Sequence, residues 1–309
     1  MNSIAQQQPV QGAGAAARMC RAAGVSRAAY YRWRKHPAQA PDRDAPVREA
    51  VHRVAGEFTR CGIRTTTAHL KRAGMKVGRD RVGRIMREEG LLIQPRKRFV
   101  ATTDSNHAHK VWPNLTRGLE VTGINQLWVA DITYIGLERG FVYLAAILDA
   151  FSRRCIGWEL ADTLKAVLTL GALRMALASR PAAPGLIHHS DRGVQYACGD
   201  YVKLLQENHI AVSMSRRACP WDNARAESFM KTLKYEEVRL WEYSGEAHAR
   251  ERVGEFIERV YNHKRLHSAL GYVPPAEFED ALAATAPTGM ASMTREKNET
   301  IGRIVIAGA

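Results

Sequence analysis

Three carboxylates stand in contexts that do not suit an ordinary solvated acid. Asp131 sits inside Trp128-Val-Ala-Asp-Ile-Thr-Tyr-Ile, a strand-forming run where a charge is costly without a partner. Asp191 follows the apolar run Leu186-Ile-His-His, at the carboxyl edge where α/β sheets place their sites. Glu227 lies in the helical stretch Trp221-Asp-Asn-Ala-Arg-Ala-Glu-Ser-Phe. Two strand carboxylates and one helical carboxylate can converge on hard divalent cations, and Mg2+ is typically held by a few carboxylates, water and substrate phosphate. Two such ions about 4 Å apart can clamp the attacking and leaving oxygens of a phosphodiester. Asn223, Lys231 and Lys234 share the helical face of Glu227 by spacing. Cations there would repel a metal unless a phosphate backbone passes beside them, which makes all three DNA-binding candidates.

The elements that must carry these residues follow from the hydrophobic pattern. Leu127 to Ile135, Phe141 to Leu148 and Cys155 to Leu160 read as three strands, the second apolar throughout as in a strand buried on both faces. Leu164 to Ser179 reads as a helix, Gly185 to His189 as a strand, Tyr201 to Asn208 as a helix and Ile210 to Ser213 as a strand. Asp222 is the expected N-cap of a helix running to about Glu237, and Glu246 to Asn262 a further helix. Three strands followed by alternating helix and strand predict a mixed α/β sheet flanked by helices. His188 and His189 read as strand-end residues.

The first part of the chain is different. Ala15 to Ala23, the turn residue Gly24, and a helix over Arg27 to Lys35 capped by Ser26 outline a helix-turn-helix with Arg27 and Arg32 on its second helix. Val47 to Phe58, Thr65 to Arg72 and Arg79 to Glu89 predict three more helices, the middle one entered through a Thr run that supplies capping hydroxyls. Arg79, Arg81, Arg84 and Arg87 crowd the last, which suits a DNA groove. Residues 94–125 read as a basic linker. The charge agrees: of 309 residues, the first 125 carry 23 Lys/Arg against 9 Asp/Glu, while the remainder balances at 22 and 22. A basic module attached to a neutral body predicts phosphate neutralisation by the first part. The longest apolar run, Phe141 to Leu148, is far short of the about 20 residues of a membrane span, which excludes an integral membrane protein. No secretory signal is visible, and the five scattered cysteines form no Cys-x-x-Cys, so a reducing cytoplasm is expected and a disulfide scaffold or structural zinc is not.

Exactly 35 residues separate Asp191 from Glu227, and Lys234 follows seven later. Together with His189-Ser-Asp-Arg-Gly-Val-Gln-Tyr, Tyr261-Asn-His-Lys-Arg-Leu-His-Ser-Ala-Leu-Gly-Tyr, Gly24-Val-Ser-Arg-Ala-Ala-Tyr-Tyr and Arg81-Val-Gly-Arg-Ile-Met-Arg, this pattern resembles one family over residues 15–280. The family is the bacterial insertion-sequence transposases of the retroviral-integrase-like Asp-Asp-Glu superfamily, second-reading-frame (OrfB) type. The resemblance implies an RNase H-like integrase catalytic core, a mixed five-stranded sheet flanked by helices, preceded by an all-α helix-turn-helix region. The corresponding division is a short helix-turn-helix segment over 1–45, a helical DNA-binding domain over 46–93, the linker, the core over 126–282 and a disordered tail over 283–309. It implies Asp131, Asp191 and Glu227 as catalytic ligands of two Mg2+ or Mn2+ ions. It further implies nicking at the element's terminal repeats, attack of the exposed 3′-hydroxyls on another phosphodiester, and no covalent protein–DNA intermediate. Implied partners are element-end and target DNA, further copies of the chain on that DNA, and the product of the upstream overlapping frame, as fusion or partner. The implied location is the bacterial cytoplasm, at the nucleoid. Two alternatives share these residues: an inactive DNA-binding regulator or transposase remnant, and another RNase H-like nuclease.

Overall fold

The structure is a computed structural model that describes residues 15–35, 42–92, 110–216 and 219–285. The expected loose segment 1–13, half of the expected linker and nearly all of the expected tail lie outside those residues.

Two short helices, α1 (Ala15–Ala22) and α2 (Arg27–Lys35), come first. Ser26 caps α2 as its sequence position predicts, its hydroxyl accepting from the Ala29 amide at 3.1 Å. A three-helix unit follows: α3 (Ala45–Glu57), α4 (Ile63–Arg72) and α5 (Arg79–Glu88). Its core is Val47, Val51, Leu70, Val82, Ile85 and Met86. The Thr run does not cap α4. The helix starts at Ile63, so Thr66 and Thr67 fall inside it and are buried, and the Thr67 hydroxyl donates back to the Ile63 carbonyl at 2.7 Å. Gly74 ends the turn after α4 with φ +82°, a conformation open to glycine at little expense.

The second unit is built on a five-stranded sheet in the order β3-β2-β1-β4-β5. Its strands are β1 (Leu127–Gly136), β2 (Phe141–Asp149), β3 (Cys155–Ala161), β4 (Ile187–Ser190) and β5 (Ala211–Met214). The first three form an antiparallel meander, whereas β4 runs parallel to both β1 and β5. Between them lie α6 (Ala166–Ser179), α7 (Val194–Ala197) and α8 (Gly199–Glu207), and after them α9 (Ala224–Glu236), α10 (Glu246–Glu255) and α11 (Pro275–Thr285).

Alternation along β1 divides the core in two. Leu127 and Val129 pack with Phe229, Met230 and Leu233 of α9 and Val253 of α10, while Trp128 and Ala130 pack with Leu168 and Leu173 of α6 and Tyr201 and Leu205 of α8. At β3 the approach of α6 is so close that a methyl group on Gly157 would lie 2.3 Å from the Ala172 carbonyl oxygen. The helix expected over 246–262 forms, but it is α-helical only over Glu246–Glu255. It widens into a π-turn at Phe256–Tyr261. Beyond that turn, buried Asn262 pairs with β3 through both its amide atoms, donating to the Cys155 carbonyl at 2.9 Å and accepting from the Cys155 amide at 3.0 Å.

The helical unit rests on the second unit. Lys264 meets Glu57 at 2.8 Å, Arg72 meets Glu277 at 2.7 Å, and the Arg60 guanidinium lies 4.5 Å from the Tyr235 ring centre. A cavity of about 550 Å³ lies between them, lined in part by Phe58, Cys61, His69, Trp241, Arg252 and Arg265.

The tight α6–β3 approach predicts that Gly157→Ala lowers stability by about 1–3 kcal/mol, the usual scale of overpacking a rigid core. Gly136→Ala, whose added carbon meets nothing within 4 Å, should stay close to wild type in the same denaturant titration.

Candidate active site

The parallel pairing of β1 with β4 sets the two strand carboxylates together. Val129 is in register with His189, so Asp131 and Asp191, each two residues further on, lie beside one another on the same face of the sheet. Both are half-buried. The Asp131 carboxylate accepts from the Ile132 amide at 2.9 Å, and Asp191 accepts from the Gly193 amide at 2.9 Å, which bends the chain away from β4 into α7. Glu227 is exposed in the first turn of α9, the helix packed over β1. Burial, then the charge of Asp191, and more weakly that of Glu227, push the Asp131 carboxyl up to about 8, with Lys234 acting against them. Partial desolvation also raises Glu227.

Neighbouring acids that raise one another's pKa are the charge state that a divalent ion with oxygen ligands relieves. The three donors are all carboxylates and therefore suit Mg2+ or Mn2+ over a soft metal. Among the described residues, however, no three His, Cys, Asp or Glu side chains are gathered closely enough to enclose a metal ion. Asp131 and Asp191 are neighbours, and Glu227 stands further off on its exposed turn.

The other residues singled out by sequence separate into distinct roles. Lys234 lies beside the cluster with its ammonium 4.3 Å from the Tyr134 ring centre. Lys231 is exposed one turn earlier on α9. Asn223 does not face solvent. It is buried, and its amide nitrogen donates to the Ala130 carbonyl at 2.8 Å, which pins the start of α9 to the residue before Asp131. Arg27 and Arg32 are exposed on α2. On α5 the four arginines divide. Arg81 bonds Asp44 at 2.7 Å and Arg84 bonds both Asp44 and Glu88, so these two tie α5 to the start of α3. Those two guanidinium hydrogen bonds hold the Asp44 carboxyl below its usual range. Arg79 reaches only its neighbour Asp80, at 3.6 Å, and Arg87 is exposed with no ion pair among the described residues.

Sequence reading missed the polar brace around the cluster. Asp222 is not the N-cap of α9; that position is Asn223. Asp222 instead takes a two-pronged contact from Arg216, with both pairs at 3.1 Å, and a hydrogen bond from Asn114 at 2.9 Å. Arg216 holds the Asp222 carboxyl at about 2. Residues 113–115, within the expected linker, are thereby seated on the core: the Pro113 carbonyl accepts from Met214 and the Leu115 amide donates to the Ser213 hydroxyl. His189 is buried between Ser213 at 2.8 Å and Ser215 at 3.0 Å. His188, on the opposite face, meets the Tyr201 hydroxyl at 2.9 Å. The repeated Ser at 213 and 215 on one strand face was the available signal, because period two puts both beside His189.

Comparison with known proteins shows the family of the chain. The integrase core domain family matches residues 122–220 and 208–275, and an HTH-like domain family matches 41–99. An insertion element IS600 31 kDa protein of Shigella sonnei, itself uncharacterized, is 39% identical over 266 residues, 85% of this chain and 97% of the relative. The transposase InsF for insertion sequence IS3A of Escherichia coli K12 is 33% identical, over 85% of this chain and 93% of its own. The transposase for insertion sequence element IS904 of Lactococcus lactis is 34% identical, over 75% and 91%. Among solved structures, an HTLV-2 integrase catalytic core domain in complex with magnesium aligns at 14% identity with a TM-score of 0.37, covering 50% of this chain and 94% of that one.

The buried histidines predict how folding responds to acid. An ordinary imidazole titrates near 6.5. Burial, helped by His189, pushes His188 down to about 3, and burial with the Arg265 and Arg153 cations pushes His267 down to about 3. Both folded rings stay neutral, so the unfolded chain takes up protons first. Their contribution is complete above the unfolded value and erodes as pH falls from about 6.5 towards about 3. Denaturant midpoints measured along that range should fall less steeply in His267→Gln than in wild type; equal slopes would refute the assignment.

Proposed function

Because the chain belongs to the insertion-sequence transposases with an integrase core, we propose that it cleaves DNA at the ends of its element and transfers the exposed strands, using Asp131, Asp191 and Glu227 as its catalytic acids. The observation that carries this reading is the parallel β1–β4 register, which sets Asp131 beside Asp191 under the helix that bears Glu227. The three acids would hold two divalent cations, Mg2+ or Mn2+, whose Lewis acidity would activate the attacking oxygen and stabilise the leaving one. The chain's own groups supply orientation. Asn223 anchors the start of α9, the helix that bears Glu227, beside Asp131, and Lys231 and Lys234 would present positive charge on the same helix to a passing phosphate backbone. The attacking group is water for cleavage and a DNA 3′-hydroxyl for transfer, so no side-chain nucleophile is required. The helical unit provides sequence-independent grip through its unpaired cations, with element-end recognition by α5. Pairing two ends in one reaction requires at least two copies on DNA, and the upstream-frame product is the proposed additional partner.

The test is nicking of a supercoiled plasmid that carries the element's flanking ends, in Mg2+, Mn2+ or EDTA, with and without the upstream-frame product. Glu227→Gln should lose metal-dependent nicking by about 100-fold or more, the scale of removing one preorganised electrostatic group. Activity that persists in Glu227→Gln rejects the site. Tight DNA binding without nicking, even with the partner present, favours a regulator.

A second expectation separates grip from architecture. Arg87→Ala should weaken DNA binding similarly across sequences and reduce the salt slope by about one, as loss of a phosphate contact does. Arg81→Ala should instead lower the thermal midpoint, since that side chain holds Asp44. Titrations at several salt concentrations, read beside thermal melts, check both.

A further inference from the structure

We infer that Trp221 is a stacking platform for a nucleobase unpaired from the DNA beside the scissile phosphate, a role that rests on the transposase reading above. Trp221 is 78% exposed, the highest value among the exposed large hydrophobic side chains of the described residues. The other tryptophans with described side chains are all engaged. Trp128 is fully buried, Trp158 donates to Glu258 and packs on Gly254, Trp112 lies under the Lys110 ammonium, and Trp241 lies under the Arg252 guanidinium. Among the described residues the Trp221 indole has no aromatic, cation or hydrogen-bond contact.

Its exposure is not that of a loose loop. Trp221 lies in a single helical turn, Pro220–Asn223, and both residues after it are fixed. Asp222 is gripped by Arg216 and Asn114, and Asn223 is bonded to the Ala130 carbonyl. That last bond places the turn one residue from Asp131, and Glu227 follows one helical turn later. The turn that carries the indole therefore stands beside Asp131, held by the two residues that follow Trp221, so little further entropy is lost when a flat partner docks on it.

The surroundings identify the partner. Lys231 and Lys234 on the following helix suit an anionic chain, and an apolar ring among such charges suits a polyanion that also carries flat faces. Inside a duplex those faces are covered by neighbouring bases. Only a base at a strand end or turned out of the helix offers one, and unpairing is least costly at a terminal or already nicked position. The same chemistry could come from the element end or from the target duplex.

Full-length protein is mixed, in EDTA, with duplexes carrying 2-aminopurine at successive positions around the nick site; one series labels the element end and the other the target. Wild type should quench the probe at one position in one series. Trp221→Ala should leave that position bright, and Trp221→Tyr should restore most of the quenching. In Mg2+, strand joining should fall about 5- to 100-fold in Trp221→Ala, the range that one base–aromatic stack contributes, and recover in Trp221→Tyr. Joining by Trp221→Ala should also be rescued by ends whose terminal pairs are mismatched beforehand. Glu227→Gln should retain the quenching, because that readout needs no chemistry. Identical fluorescence for wild type and Trp221→Ala at every position in both series overturns the inference, as does a change in oligomeric state in place of the fluorescence change. Quenching that depends on Trp221 in a protein that neither nicks nor joins leaves the inference standing and rejects the catalytic reading.

Discussion

Two carboxylates on adjacent parallel strands repel each other, and the arrangement of the second unit follows from holding them together. Their proximity is set by backbone hydrogen bonding between β1 and β4, with registered pairs from Leu127↔Ile187 to Val129↔His189, so it does not depend on any side chain that could rotate away. The repulsion is visible in Asp131, whose carboxyl is pushed up to about 8 first by burial and then by Asp191. A buried acid raised this far beside a second acid suits an external cation. Lys234 offsets part of the charge while its ammonium lies over the Tyr134 ring.

Around that pair the polar groups act as a brace. His189 lies on the acid-bearing face two residues before Asp191, buried among Ser213 and Ser215, and burial pushes it down to about 4, so it serves as a neutral strut. Arg192 adds a bond to the Ser215 carbonyl at 2.8 Å. From there the brace continues through Arg216 to Asp222 and Asn114, and through Asn223 back to β1. The loop leading into α9 is thus tied at both ends to the strands that carry the two aspartates. Buried networks of this kind specify geometry when their members are satisfied. The Asn223 side-chain oxygen is an exception, buried with no partner, in the same turn that presents Trp221.

The parts legible in sequence were those whose information is local. Strand alternation and apolar runs gave β1 to β3 within a residue or two, the cap at Ser26 followed from its position, and the spacing of the three acids named their family before any fold was drawn. What was not legible depends on contacts between distant positions. Arg81 and Arg84 look identical to Arg87 in a list of helix residues, yet Asp44, 37 and 40 residues away, removes the first two from solution as free cations. Asp222 has the ideal type for an N-cap, but Arg216 and Asn114 compete for its oxygens and win, leaving Asn223 at the cap. The helix over 246–262 was periodic enough to read as one piece; the π-turn within it places Asn262 to match Cys155, a pairing that spans 107 residues.

The charge partition then acquires a different meaning. The Lys and Arg of the first 125 residues are not all available to a partner, because Arg48, Arg81 and Arg84 are paired with Glu89 and Asp44 inside the helical unit. The cations that remain for a phosphate backbone are the unpaired ones, fewer than the count of Lys and Arg. The contacts that seat this unit on the second are of another kind. Lys264–Glu57 and Arg72–Glu277 are roughly half-exposed ion pairs, each worth only about 0–1 kcal/mol and screened by salt. Arg60 over Tyr235 is a single cation–π contact, and the cavity beside it leaves the boundary incompletely packed. A boundary held this lightly does not fix the angle between the two units as the sheet fixes the two aspartates. Rigidity is therefore concentrated where phosphodiester chemistry would need sub-ångström placement, and compliance lies between the unit proposed to grip DNA and the unit proposed to cut it.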